Sequence, residues 1–283
     1  MPRSKTGSPP MPVIDAIRRT ARAVLVRLAP GPFLALTAAR ARARTHRLFS
    51  DWGCLALNDA LIARLGTQVV AGPFAGLQLT PLARRDHIGP YLLGSYEREL
   101  HSLWRELEGA RFTAIFDIGA RFGYYAVGLA RRYPEVPVTA VDPDGWARAA
   151  TREMALANGT PRVTLLRRVT PQRLAALLPP GALVVSDCEG YEQALFCGPE
   201  IAALRSATMV IEVHESEAPG VGAALVRRYA STHEIRRIAS EPPPNRAPVD
   251  LSFLSDDQRA LAGNEIRGEQ EWLILRPRPN SDR

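Results

Sequence analysis

Between residues 114 and 213 the sequence alternates short apolar runs with amphipathic stretches, and no other feature narrows the fold as far. Ala114–Ile118, Val138–Val141, Val163–Arg167, Leu183–Ser186 and Thr208–Val213 read as strands. Tyr124–Arg132, Gly145–Asn158 and Pro171–Leu178 read as helices between them, the second closed by Asn158-Gly159, and Tyr191–Phe196 follows the fourth strand. Strands separated by helices pair in parallel, so the expected fold is α/β, a doubly wound sheet with ligands at the carboxyl ends of its strands. A helix over Val221–Tyr229 and strands at Glu234–Ile238 and Trp272–Leu275 complete the pattern. The polar, Pro-rich stretch Glu241–Gly268 between those strands is either a lid over an acceptor or a surface excursion.

Upstream, Met1–Pro12 has a disordered composition, and a helical pattern follows to about Gly66 with a break at Pro30–Pro32. Residues 68–80 read as a hairpin turning at Gly72-Pro73, and residues 92–108 as a helix with Tyr96, Leu100 and Leu103 on one face. The expected organisation is thus a basic helical extension over residues 1–67 and a second domain over residues 68–283. Net charge is +7, of which residues 1–50 carry +9 through ten basic residues against Asp15, so the remainder is about −2. A body without a basic excess argues against a nucleic-acid partner. Around Val13–Leu28, apolar positions at helical spacing alternate with Arg18, Arg19, Arg22 and Arg27. Such a helix either packs on the body or makes peripheral contact with a membrane surface, and its arginines oppose a cleaved leader. Three scattered cysteines, Cys54, Cys188 and Cys197, suit a reducing, cytoplasmic setting.

The chemistry concentrates at two strand ends. Phe116-Asp117-Ile118-Gly119-Ala120-Arg121-Phe122-Gly123-Tyr124-Tyr125 lies where a strand becomes a helix. Nineteen residues after Gly123 comes Asp142, at the end of the second strand, where a carboxylate can accept both hydroxyls of a ribose. A dinucleotide fingerprint would need glycine at 121 and 124, but the chain has Arg121 and Tyr124, so pyrophosphate is disfavoured. Asp117 would repel phosphate and attract the amino group of a methionine-type tail. S-adenosylmethionine, a nucleoside without phosphates, fits that pattern.

The second constellation is Asp187-Cys188-Glu189-Gly190-Tyr191-Glu192 at the end of the fourth strand. After the fifth comes Ile211-Glu212-Val213-His214-Glu215, where strand alternation puts Glu212 and His214 on one side. Asp187, Glu189 and His214 therefore emerge from neighbouring strand ends.

Taken together and in chain order, these segments resemble the FkbM family of class I methyltransferases. Leu93-Gly94-Ser95-Tyr96-Glu97-Arg98-Glu99-Leu100 and Gly72-Pro73-Phe74-Ala75-Gly76 add to the likeness, which covers about residues 68–276. The resemblance implies a seven-stranded Rossmann-like fold that binds S-adenosylmethionine and methylates a hydroxyl of a sugar or secondary-metabolite acceptor. It implies that Asp117, Gly119 and Gly123, with Ala120 and Tyr124, line the methionine part, with Tyr96 and Glu97 from the lead-in. It further implies that Asp142 holds the ribose and that Asp187 faces the crevice. Arg121 stands where the family commonly has Asn, and Cys188 where it commonly has an aliphatic residue. A hydroxyl acceptor needs a base within hydrogen-bond reach. Glu189 or His214 is the candidate base, with Asp187 orienting the acceptor. A Mg2+ ion held by Asp187, Glu189 and acceptor oxygens ranks behind a metal-free site, since no fixed ligand spacing marks one. A non-catalytic cofactor-binding or assembly protein and a nucleic-acid methyltransferase are the competing classes, the latter without an Asn-Pro-Pro-Tyr-type tetrapeptide or a Pro-Cys pair.

Overall fold

The computed structural model describes residues 43–198, 201–244 and 246–279. The helix expected over Val13–Leu28 and most of the arginine-rich segment lie outside the described residues. The chain divides into two compact units, Met1–Arg44 and Thr45–Arg283, and the second contains the sheet.

Seven strands form that sheet: β1 (Ile115–Ile118), β2 (Val138–Val141), β3 (Thr164–Leu166), β4 (Leu183–Ser186), β5 (Thr208–Val213), β6 (His233–Ala239) and β7 (Glu271–Pro277). Their order is β3-β2-β1-β4-β5-β7-β6. β1 to β5 are parallel, and β7 inserts antiparallel between β5 and β6. The chain winds outward from β1 to β3, then crosses to β4 and winds the other way. The switch point therefore lies between β1 and β4, where the strand ends open a crevice.

Strand alternation feeds two cores. Ile115, Val138, Ala140, Leu183, Val185, Val210 and Ile274 enter one, and Phe116, Ile118, Val141, Val184, Met209, Ile211 and Leu273 enter the other. The first core is closed by α1 (Cys54–Leu65), α2 (Gly89–Leu93) and α3 (His101–Glu106), together with α4 (Tyr124–Arg132) and α5 (Gly145–Ala157). The second is covered by α6 (Pro171–Leu177), α7 (Glu192–Phe196) and α8 (Val221–Tyr229). Leu57 and Leu61 of α1 are fully buried in the first core, although the sequence places α1 in the N-terminal extension.

The hairpin over 68–80 forms: the antiparallel bridge Gln68 to Gln78 is flanked by the Val69 N–H on the Leu77 carbonyl at 2.9 Å and the Leu79 N–H on the Thr67 carbonyl at 2.8 Å. Two other local expectations change. The helix over 92–108 is broken at Gly94, which has φ 71° and approaches the chain so closely that a Cβ there would lie 2.0 Å from the Ala71 carbonyl oxygen. A left-handed residue cannot continue a helix, so α2 and α3 are separate. The stretch 241–268 contains α9 (Asp256–Ala262), started by a capping box between Ser255 and Gln258. Leu251, Leu254 and Ala262 are buried in the first core, so this connection is a packed part of the domain. Among the described residues no helix is long and apolar enough to cross a membrane.

Candidate functional site

The β1 and β4 turns meet at the switch point. Asp187 donates its backbone N–H to the Ile118 carbonyl at 2.9 Å, and its own carbonyl closes on Gly119. A Cβ on Gly119, at φ 95°, would lie 1.6 Å from that carbonyl oxygen. At Gly123, a Cβ would lie 2.7 Å from Thr151 Cγ2 of α5. Both glycines thus answer to close contacts inside the protein. The N–H groups of Gly119 and Ala120 are spent on the Val141 carbonyl at 2.8 and 3.2 Å.

Asp142 ties the β1 turn to the end of β2. Its Oδ2 accepts from the Arg121 N–H at 2.9 Å and its Oδ1 from the Asp144 N–H at 2.8 Å. Burial pushes its pKa up to about 6. Asp117 points into the start of α4, where Oδ2 accepts from the Ala126 N–H at 2.8 Å, and its burial pushes its pKa up to about 7. The Arg121 side chain leaves the turn for Asp86, with Nε 2.5 Å and Nη2 2.7 Å from its two carboxylate oxygens.

Tyr96 stacks on Tyr91 at a centroid distance of 3.9 Å, and Tyr124 meets both edge-on. The Tyr124 hydroxyl is buried without a hydrogen-bond partner. Glu97 is buried, receives the Tyr125 hydroxyl, and donates its backbone N–H to Glu265 Oε1 at 3.0 Å.

At the ends of β4 and β5, His214 is enclosed by carboxylates. Its Nδ1 lies 2.7 Å from Glu192 Oε1; its Nε2 lies 3.3 Å from Asp187 Oδ1, 3.6 Å from Glu212 Oε2 and 3.8 Å from Glu189 Oε2. Burial opposes its charge, but Asp187 and Glu192 outweigh that and hold its pKa up at about 11. Burial and the neighbouring Asp187 charge likewise push Glu212 up, to about 11. Glu189 reaches outward, with its side chain 81% exposed, whereas Glu192 is fully buried.

The structure thus brings together Asp187, Glu189 and His214, and places Asp142 on the opposite side of the switch point. It adds residues to which the sequence assigns no role. Arg267, from the connection before β7, pairs with Glu99 at 2.5 Å, Glu265 at 2.9 Å and Glu212 at 3.3 Å. Nothing local marks Arg267, because two of its partners, Glu99 and Glu212, are distant in sequence. Glu212 carries a visible signal, its two-residue spacing from His214. The non-glycine residues with left-handed backbone are Glu97, Arg121, Glu189 and Ile266, all in these loops among the described residues. Such conformations cost of order 1–3 kcal/mol each and gather where structure serves a site.

No protein-family model and no curated protein matches the chain. Among solved structures it is similar to TrmN from Thermus thermophilus, at 18% identity over 67% of this chain and 49% of that one, with TM-score 0.41. The chain thus spans about half the length of that protein. It is also similar to the ribosomal protein L11 methylase from Lactobacillus delbrueckii subsp. bulgaricus, at 15% identity over 65% and 81% of the two chains, with TM-score 0.41. A third is precorrin-6y C5,15-methyltransferase from Geobacter metallireducens GS-15, at 12% identity over 58% and 78%, with TM-score 0.39. The strand order, with five parallel strands and β7 antiparallel between β5 and β6, is the Rossmann-like seven-stranded fold of the class I methyltransferases.

Proposed function

We propose that the protein is an S-adenosylmethionine-dependent methyltransferase of FkbM type, acting on a hydroxyl oxygen of a small sugar or secondary-metabolite acceptor. One observation carries this reading: Asp142 sits beside the switch point with one backbone N–H on each carboxylate oxygen, leaving each a second acceptor position for a vicinal diol. The residues fit the cofactor in two further respects. The Gly119 and Ala120 N–H groups are already bonded to the Val141 carbonyl and so do not cradle a pyrophosphate, and the buried, unpartnered Tyr124 hydroxyl stands in an aromatic cluster with Tyr91 and Tyr96. When bound, S-adenosylmethionine supplies an electrophilic methyl group on a sulfonium.

Asp142 would hold the ribose, and Asp117 would place negative charge near the methionine amino group. Across the crevice, Glu189 would accept the acceptor's hydroxyl proton while the O–C bond forms and the methyl's bond to the sulfonium sulfur breaks, its electron pair staying on sulfur. His214 is held as a cation between Glu192 and Asp187, so it is poorly suited to take that proton itself. Its charge instead lies beside the oxygen that becomes more negative. Asp187 orients the acceptor. The near-neutral body supports a small acceptor over nucleic acid, with a net charge of about −2 for residues 51–283. Calorimetry with S-adenosylmethionine, followed by mass-spectrometric detection of a 14-dalton gain on hydroxylated acceptors (about the mass of one CH2), tests it. Failure to bind the cofactor overturns it.

A further inference from the structure

Asp187, Glu212 and His214 offer three ligand atoms of different chemistry at one point of the fold. Asp187 ends β4, while Glu212 and His214 lie two residues apart at the end of β5, the neighbouring parallel strand paired through Ser186 and Ile211. One ligand atom from each residue lies within 4.8 Å of the others. Two donors about 2.1 Å from one ion are at most about 4.2 Å apart. The separations of His214 Nε2 from Asp187 Oδ1 and Glu212 Oε2, 3.3 and 3.6 Å, fall inside that bound.

Two further observations point to a ligand there. Asp187 Oδ1 is a buried oxygen without a hydrogen-bond partner: His214 Nε2 is near it but not aligned to donate. On the other side of the ring, Nδ1 is bound at 2.7 Å to Glu192, whose side chain is wholly buried. A carboxylate on the far nitrogen is the arrangement that fixes the tautomer and aims Nε2 of a metal-bound histidine. Sequence spacing alone conceals this set, because its third member comes from another strand.

We propose that Asp187, Glu212 and His214 Nε2 form a binding site for a first-row divalent transition ion, with Glu192 as the positioning residue for the imidazole. Two carboxylates and one imidazole suit Mn2+, Fe2+, Co2+ or Zn2+ better than an all-oxygen ion such as Mg2+. Binding displaces a proton from Nε2 of the imidazolium, and any proton shared by the two carboxylates leaves with it. Three protein ligands leave coordination positions open toward the 30% exposed side of Asp187 and the outward Glu189. The ion's use on an acceptor hydroxyl rests on the methyl-transfer reading, whereas the site itself does not.

The test is Mn2+ binding to the full chain without cofactor, read by loss of the free-ion electron paramagnetic resonance signal. Wild type should bind one ion per chain. Asp187→Asn and Glu212→Gln should each weaken binding at least tenfold, and Glu192→Gln by roughly 10–100-fold. Because a variant of so buried a cluster can fail to fold, Co2+ loading of wild type supplies a second readout: proton resonances of one imidazole should shift paramagnetically. Wild type that binds neither Mn2+ nor Co2+, binding unaffected by Asp187→Asn and Glu212→Gln in folded protein, or Co2+ binding without a shifted imidazole overturns the site. Metal binding without methyl transfer would overturn the enzymatic reading alone.

Discussion

The carbonyl oxygen of Asp187 lies 1.6 Å from where a Cβ on Gly119 would be. The first and fourth strand turns therefore touch backbone to backbone, and the distance between the Asp142 and Asp187 sides of the crevice is set by a contact that only glycine permits. The site's two halves are held in register by this approach.

Gly119→Ala should accordingly be among the most damaging single-methyl additions in the chain. The overlap is with backbone, which cannot rotate aside, and φ 95° adds strain of its own. We expect a loss of roughly 3 kcal/mol or more, from the overlap and strain together. Urea denaturation checks it. Gly159→Ala is the control, since it has a comparable φ of 69° but no atom within 4 Å of an added Cβ, and should cost only about 1 kcal/mol.

Asp142→Ala removes the proposed ribose acceptor and frees the Arg121 and Asp144 N–H groups. Cofactor affinity should fall by about 1–3 kcal/mol, the range for hydrogen bonds to a charged group. Calorimetry reads this directly. Unchanged affinity would remove Asp142 from the cofactor site.

How much of this was legible before the structure follows from the range of each interaction. The strands over 115–118, 138–141, 183–186 and 208–213 are buried on both faces, so they are written as continuous apolar runs. Asp142, Asp187, Glu189 and His214 are visible as polar residues at the ends of those runs. Arg267 is not, since its meaning depends on Glu99 and Glu212, which are brought to it only by tertiary packing. The break at Gly94 is hidden likewise, because the close partner is the Ala71 carbonyl. The capping box of α9 was written in Ser255 and Gln258 but obscured by the prolines before it.

Arg267→Met should destabilise the domain by about 3 kcal/mol near neutral pH, the cost of leaving buried carboxylates without their cation. Glu99 is fully buried and Glu212 nearly so, and neither can turn to solvent. Without Arg267, Glu265 loses the charge that opposes its burial, so in the variant it binds a proton more tightly folded than unfolded. Stability therefore recovers as pH falls, and the gap to wild type should narrow by pH 5. A gap that is constant with pH would mean that lost packing, not lost charge, is the cause.

Asp117 gives wild type a pH signature of the same sign. Its pKa rises from 3.8 to about 7 on folding, through burial. The folded state thus holds a proton that the unfolded state has released. Its contribution is complete below 3.8 and is lost as pH rises to about 7, at up to about 1.4 kcal/mol per pH unit. Asp117→Asn, which can still accept the Ala126 N–H, should remove this slope. A cationic methionine amino group favours the ionised carboxyl, so cofactor affinity should rise with pH through 7 in wild type and stay level in the variant. Denaturation and calorimetry across pH 5 to about 8 measure both, and parallel profiles in the two proteins would refute this assignment.

The acceptor side is tested by Glu189. Its side chain is 81% exposed and 3.8 Å from His214, so Glu189→Gln changes the charge with little expected effect on stability. If Glu189 is the base, turnover should fall by roughly 10²–10⁴-fold while cofactor affinity holds, since no part of the ribose or methionine is assigned to it. His214→Asn removes the positive charge beside the developing oxyanion and leaves the fully buried Glu192 with only the long Cys188 N–H bond, at 3.4 Å, on its Oε1, so turnover and stability should drop together. The separation between the two variants is the informative part. A stable Glu189→Gln protein with wild-type turnover would mean that the acceptor's proton leaves by another route, and the role of base would pass from Glu189.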